Sequence, residues 1–274
     1  MKNTTFAIAS LLYVTGSLHA ATIVFKEGAN VVSSDGAINI ATYTGTEDTS
    51  VVQESPNNNY GGRTTILVGV LGAGKVRAGH VRFDVTSLAS QFVTIDSIKF
   101  RFYVETTGGT SQSISYGAHK AVSGDWVEGT ANGAGQTGSA TYNYQIHSTL
   151  GWASTGGRGS SDAWPDQLLP VSSGGYGAAG TWIEMTLDPS GYDPSLDTPT
   201  ELIQSWITDG AQNDGILMTY SNNVSNPQWQ LASSEHATAA WRPELVIEYT
   251  AIPEPSSAAL LGLGGLALIF RRRK

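Results

Sequence analysis

Paired carboxylates are the first residues in this chain that could do chemistry, because glycoside hydrolysis needs two of them about 5–10 Å apart. Asp125 with Glu128, and Asp162 with Asp166, are close neighbours. Closeness along a loop does not make a cleft, and these acids read as solvated turn or capping residues. His80, His119, His147 and His236 are scattered without the spacing of metal ligands. His80 alternates with apolar neighbours and belongs on the outer face of a strand. Gly69-Val70-Leu71-Gly72-Ala73-Gly74-Lys75 has the spacing of a phosphate-cradling loop, but Val76 stands where a hydroxyl should hold magnesium. An alternating strand follows where a helix should begin, so the segment reads as a hairpin loop.

All seven Trp follow residue 125. Sugar rings offer apolar C–H faces to aromatic side chains, while their hydroxyls bond to Asn, Asp, Arg and Gln. Trp152, Trp164 and Tyr176 lie in Gly- and Ser-rich stretches with Arg158, Asp162 and Asp166 nearby. The candidate carbohydrate-binding set is therefore Trp152, Arg158, Trp164 and Tyr176. The competing reading is that these rings fold back and pin long loops to the body. No cofactor is expected, but a calcium ion would suit loops rich in hard oxygen donors. Its candidate ligands are Asp48, with Asn57 to Asn59 near it, and Asp162; neither set follows an EF-hand spacing.

The elements that must hold these residues are β-strands. Charged residues make up 14% of the 274-residue chain, against the roughly 25% of ordinary domains, and there are 32 Gly. Val81, Phe83 and Val85 alternate with polar neighbours, as do Ile98, Phe100, Phe102 and Val104, then Ile216, Met218 and Tyr220, and finally Leu245, Ile247 and Tyr249. This period-two pattern predicts an all-β fold, an antiparallel β-sandwich of jelly-roll type. Thr198-Pro199-Thr200-Glu201 is a capping box, and Leu202, Ile203, Trp206 and Ile207 follow at helical spacing. One short helix is expected there, with Trp206 in the core. The absence of Cys excludes disulfides and a cysteine nucleophile.

Both ends read as addresses. Residues 1–20 form a signal peptide, with Lys2 ahead of an apolar stretch and small residues at Ala20 and Ala21. Residues 252–274 hold Pro253-Glu254-Pro255, an apolar run of about 15 residues expected to form a helix, and Arg271, Arg272, Arg273 and Lys274. Basic residues behind an apolar run stay on the cytoplasmic side, so the body faces outward. Setting aside Lys2, Glu254 and the four terminal basic residues leaves 10 basic against 22 acidic residues, near −12 for the body at 21–251. That balance argues against nucleic acid as a partner.

The tripartite end resembles the PEP-CTERM sorting signal, with Pro253, Glu254, Pro255 and Arg271 to Arg273 as its motif. The resemblance implies export in a Gram-negative bacterium, a transient inner-membrane intermediate and processing by an exosortase-type protease. Several body segments, in order, resemble the DNRLRE domain, a carbohydrate-binding-module-like β-sandwich. They include Asp48-Thr49-Ser50-Val51-Val52, Asn57 to Gly62, Val81-Arg82-Phe83-Asp84, Trp126-Val127-Glu128, Asn213 to Leu217, Ser233-Ser234-Glu235 and Arg242-Pro243-Glu244-Leu245. Ser234 departs from the basic residue usual before the final Glu. Trp126 and Trp241 match positions taken as structural, and Trp182 reads as a strand residue. The resemblance implies a noncatalytic cell-surface or extracellular-matrix protein that binds or packs with extracellular polysaccharide in a biofilm. The alternatives are a polysaccharide lyase or glycoside hydrolase working in a sheet groove, and a purely structural or adhesive surface protein.

Overall fold

The computed structural model describes residues 19–72, 74–91, 93–108, 114–118, 126–159, 178–187, 199–220 and 228–251. Ten strands form its main sheet: β1 (His19–Lys26), β2 (Thr46–Val52), β3 (Thr65–Leu71), β4 (Lys75–Phe83), β5 (Val93–Gly108), β6 (Ile114–Ala118), β7 (Thr181–Thr186), β8 (Ile216–Tyr220), β9 (Gln228–Ala232) and β10 (Glu244–Ala251). Their order is β1-β10-β5-β9-β3-β4-β8-β6, with β7 added along β5 and β2 along β4. Every pairing is antiparallel.

The alternating residues settle the fold. Val81, Phe83, Phe100, Phe102, Leu245, Ile247 and Tyr249 are all fully buried, on the inner face. Phe83 of β4 and Phe100 of β5 lie 6.0 Å apart, centroid to centroid, although two strands separate β4 from β5 in the sheet. The sheet therefore curls into a half-barrel whose two arms face each other across one core, the packing of an all-β sandwich. The Gly69–Lys75 segment is a hairpin turn, with Leu71 opposite Lys75 and Gly69 opposite Arg77.

Helix α1 (Pro199–Thr208) starts at the expected proline. Leu202, Ile203, Trp206 and Ile207 are all buried in the main core, as their helical spacing requires. Strand β1 begins at His19, opposite Ala251, so cleavage after Ala20 would trim two residues from its start. The residues before His19 and the sorting tail lie outside the described residues. Among the described residues no helix is long and apolar enough to cross a membrane.

Candidate functional site

The segment 126–159 has little regular structure, yet it forms a second layer. It lies on the outer face of β2, β4 and β8, where an open sheet would meet water. Trp126 anchors it: the ring is fully buried, and its Nε1 donates to the Asp214 carbonyl at 2.8 Å. Beneath it a small apolar cluster joins Val51, Ala78 and Leu217 of the sheet to Ala140, Tyr142 and Trp152 of the layer. The layer also approaches the sheet through glycine. A Cβ at Gly61 would come within 2.2 Å of the Glu128 carbonyl, and one at Gly62 equally close to that of Thr130. Only hydrogen fits at either position.

His80 bears out the sequence reading and adds to it. It does point outward from β4, but it is fully buried because the layer covers it. Its ring stacks on Trp152 with centroids 5.0 Å apart and lies 5.7 Å from Trp126. Burial pushes its pKa down to about 3, so the imidazole is neutral. Alternation identified the outward face, but a non-local segment decided what covers it.

The same layer delivers Glu128 to the exposed edge of β2. Asp48 donates its backbone N–H to Glu128 Oε1 at 2.8 Å, and Thr46 donates its own to Glu27 Oε2 at 3.0 Å. Carboxylates thus bond to edge groups that no further strand pairs among the described residues. The Asp48 side chain points inward, where its Oδ2 accepts the Ser234 N–H at 2.6 Å. Glu235 follows, and one carboxylate oxygen from each of Asp48, Glu128 and Glu235 lies within 4.8 Å of the other two.

Burial raises all three carboxyl pKa values. Glu128 goes up to about 9, with the Asp48 charge as the second cause. Asp48 is raised well above the ordinary range by burial and then by Glu235, and Glu235 is raised by its own burial. Glu27 and Glu47 add further negative charge around the group. Glu47 is itself paired with Arg82 at 2.5 Å. Among the described residues none of the three clustered acids forms an ion pair with Lys or Arg. Burial and mutual repulsion therefore favour the neutral forms of these carboxyls.

Asp48 was named from sequence as a calcium ligand, and its carboxylate neighbours prove to be Glu128 and Glu235. Asn59 is committed elsewhere: its Nδ2 donates to the carbonyls of Glu128 and Ala140, and its Oδ1 accepts from Gly61 and Ala131. The signal for the trio was present, since each acid lies in a segment that carries the family resemblance. Nothing local joined them, because they are 80 and 107 residues apart in the chain.

Trp152 is 8% exposed, and its Nε1 donates to the Thr141 carbonyl at 2.8 Å. Arg158 is exposed, and its Nε donates to Thr219 Oγ1 at 3.2 Å. Trp164, Tyr176, Asp162, Asp166 and Asp125 lie outside the described residues, so Trp152 and Arg158 alone of the expected sugar contacts can be placed. The sequence reading missed a second group of aromatics, Tyr103, Trp182 and Trp241, which come together on the outer face of the other arm.

Comparison with known families fits this architecture. Residues 39–154 match carbohydrate-binding module family 96, and residues 251–274 match the PEP-CTERM protein-sorting motif. The first match covers β2 to β6 and the outer layer as far as residue 154. The remaining strands complete the same sheet, with β8 pairing β4 and both β9 and β10 pairing β5. The curated proteins searched contain no match to the chain.

Proposed function

We propose that this chain, with a carbohydrate-binding domain of the family 96 type and a PEP-CTERM tail directing export and envelope sorting, is a noncatalytic protein that binds or packs with polysaccharide. Its place is the cell surface or extracellular matrix of a Gram-negative bacterium, reached through a membrane-anchored intermediate and an exosortase-type protease. The family 96 match carries the reading. The geometry of the acids supports it against hydrolysis. One carboxylate oxygen from each of Asp48, Glu128 and Glu235 lies within 4.8 Å of the other two, so the three groups crowd one point instead of flanking a bond. Asp48 is also 1% exposed, leaving a sugar no way to reach it.

Calcium belongs to this proposal. Asp48, Glu128 and Glu235 supply hard oxygen donors from three separate segments, the chemistry that this ion takes. Calcium would stand in for the protons that burial otherwise holds there, tying the outer layer to the edge of β2.

A screen of the full chain against a glycan array, alongside reducing-sugar and unsaturated-product assays, tests the function. Retention without turnover is expected. Turnover would establish an enzyme, and silence in every assay would leave a structural or adhesive protein. Calorimetric titration of the chelator-treated chain with calcium should give heat and a raised melting temperature; no heat and no shift would remove the ion.

A further inference from the structure

A solvent-facing strand surface is ordinarily polar. On the arm formed by β1, β10, β5 and β7 the outer face instead carries aromatic rings bordered by ion pairs. Tyr103 of β5 and Trp182 of β7 are direct cross-strand partners, with ring centroids 5.7 Å apart and planes at 71°. Trp241, just before β10, stacks on Tyr103 at 4.5 Å and 14°. All three rings are partly exposed. Tyr103 turns outward because Phe102 and Val104 alternate with it into the core, and Trp182 shares its face as its cross-strand partner.

Charges extend the surface across four strands. Lys99 and Arg101 both reach Glu184, at 3.2 and 3.0 Å. Arg101 also pairs with Glu244, and Glu244 pairs with Lys26 at 2.6 Å. The Arg101 guanidinium lies 4.9 Å from the centre of the Trp182 ring, and the Lys26 ammonium 6.0 Å from it. Hydrogen-bonding groups thus border an aromatic surface, the combination that meets the apolar face and the hydroxyls of a sugar together.

From this juxtaposition we infer that Trp182, with Tyr103, Trp241 and the Arg101–Glu184–Glu244 ladder, forms a binding surface for a neutral pyranose polysaccharide. The inference rests on the carbohydrate-binding reading and locates two of its three rings, Trp182 and Trp241, outside the matched residues 39–154. Neutral sugar is favoured by the charge pattern. Each cation is already paired with a carboxylate, so a uronate would have to displace Glu184 or Glu244 and approach a body near −12. Sugar hydroxyls instead meet the partly exposed heads of Lys99 and Arg101, whereas Glu244 is itself buried.

Affinity electrophoresis of the full chain through gels of hydroxyethyl cellulose, galactomannan or alginate tests the assignment. Retardation by a neutral polymer is expected, with at least a tenfold loss of affinity in Trp182→Ala. In the unaltered chain, saturating glycan should protect Trp182 from N-bromosuccinimide oxidation, read by peptide mass spectrometry; this measurement stands even if the variant misfolds. Retardation with Trp182 unprotected, or with a folded Trp182→Ala unchanged, overturns the location and leaves the broader function standing. Retardation by alginate alone overturns the neutral class. If no glycan retards the chain, the carbohydrate reading itself fails.

Discussion

Glu128 and His80 respond to pH in opposite directions, because burial favours the neutral form of each and those forms differ by charge type. The Glu128 pKa rises from an ordinary 4.5 to about 9, so the folded chain holds a proton that the unfolded chain releases. Its contribution is complete below pH 4.5 and is lost as pH rises toward 9. Each such proton tilts stability by about 1.4 kcal/mol per pH unit across that window. The His80 pKa falls from 6.5 to about 3, so its contribution is complete above pH 6.5 and is lost as pH falls toward 3. Asp48 and Glu235 are raised in the same direction and add to the alkaline loss, so urea unfolding of the metal-free chain should find stability falling as pH rises above about 4.5. Glu128→Gln should flatten the alkaline limb. A Glu128→Gln variant as alkali-sensitive as the parent would show that Glu128 does not hold the proton. Asp48 was legible as a candidate ligand because it stands in a recognisable segment. Its partners were not, because chain separation hides proximity.

The outer layer is the element whose attachment the sequence disclosed least. Its stretch 129–139 is rich in Gly and Ser and reads as a connection. Its grip comes from Trp126, Trp152 and two close backbone approaches at Gly61 and Gly62. Gly61→Ala would drive a methyl group into the Glu128 carbonyl and should cost about 1–3 kcal/mol through overpacking. Hydrogen exchange should speed up through 126–159 while β5 and β10, in the main core, stay protected. Unaltered exchange in the layer would mean that the contact at Gly61 does not hold it down. The strands and α1 were far more legible, because period two and period 3.6 are local consequences of which face meets the core. The layer has no period, and its cover over His80 arises only when distant segments meet.

For the whole molecule, the first and last strands close one edge together. His19 stands opposite Ala251, and the pairing runs without a break to Lys26 opposite Glu244. His19 and Ala251 therefore stand together at the same end of one strand pair. Ile23 and Phe25 of β1 are fully buried. Deleting Ala21 to Lys26 should abolish the cooperative melting transition, since it strips three core side chains, Ala21, Ile23 and Phe25, and leaves β10 unpaired along that edge. Loss of His19 and Ala20 alone, as cleavage after Ala20 would produce, should leave melting close to that of the uncut body. If the larger deletion melts as the intact chain does, β1 is dispensable to the core.

The amino acids in their order were enough for the all-β class, the inward faces, the short helix with Trp206 in the core, and the sorting motif at the C-terminus. Each follows from short-range order: alternation, a capping box or a contiguous motif. Only the tertiary structure decided that Asp48, Glu128 and Glu235 converge, that His80 lies under Trp126 and Trp152, and that Tyr103, Trp182 and Trp241 share one surface. Those contacts join residues dozens to more than a hundred positions apart. What brings them together is the curl of a sheet that closes around its buried apolar face.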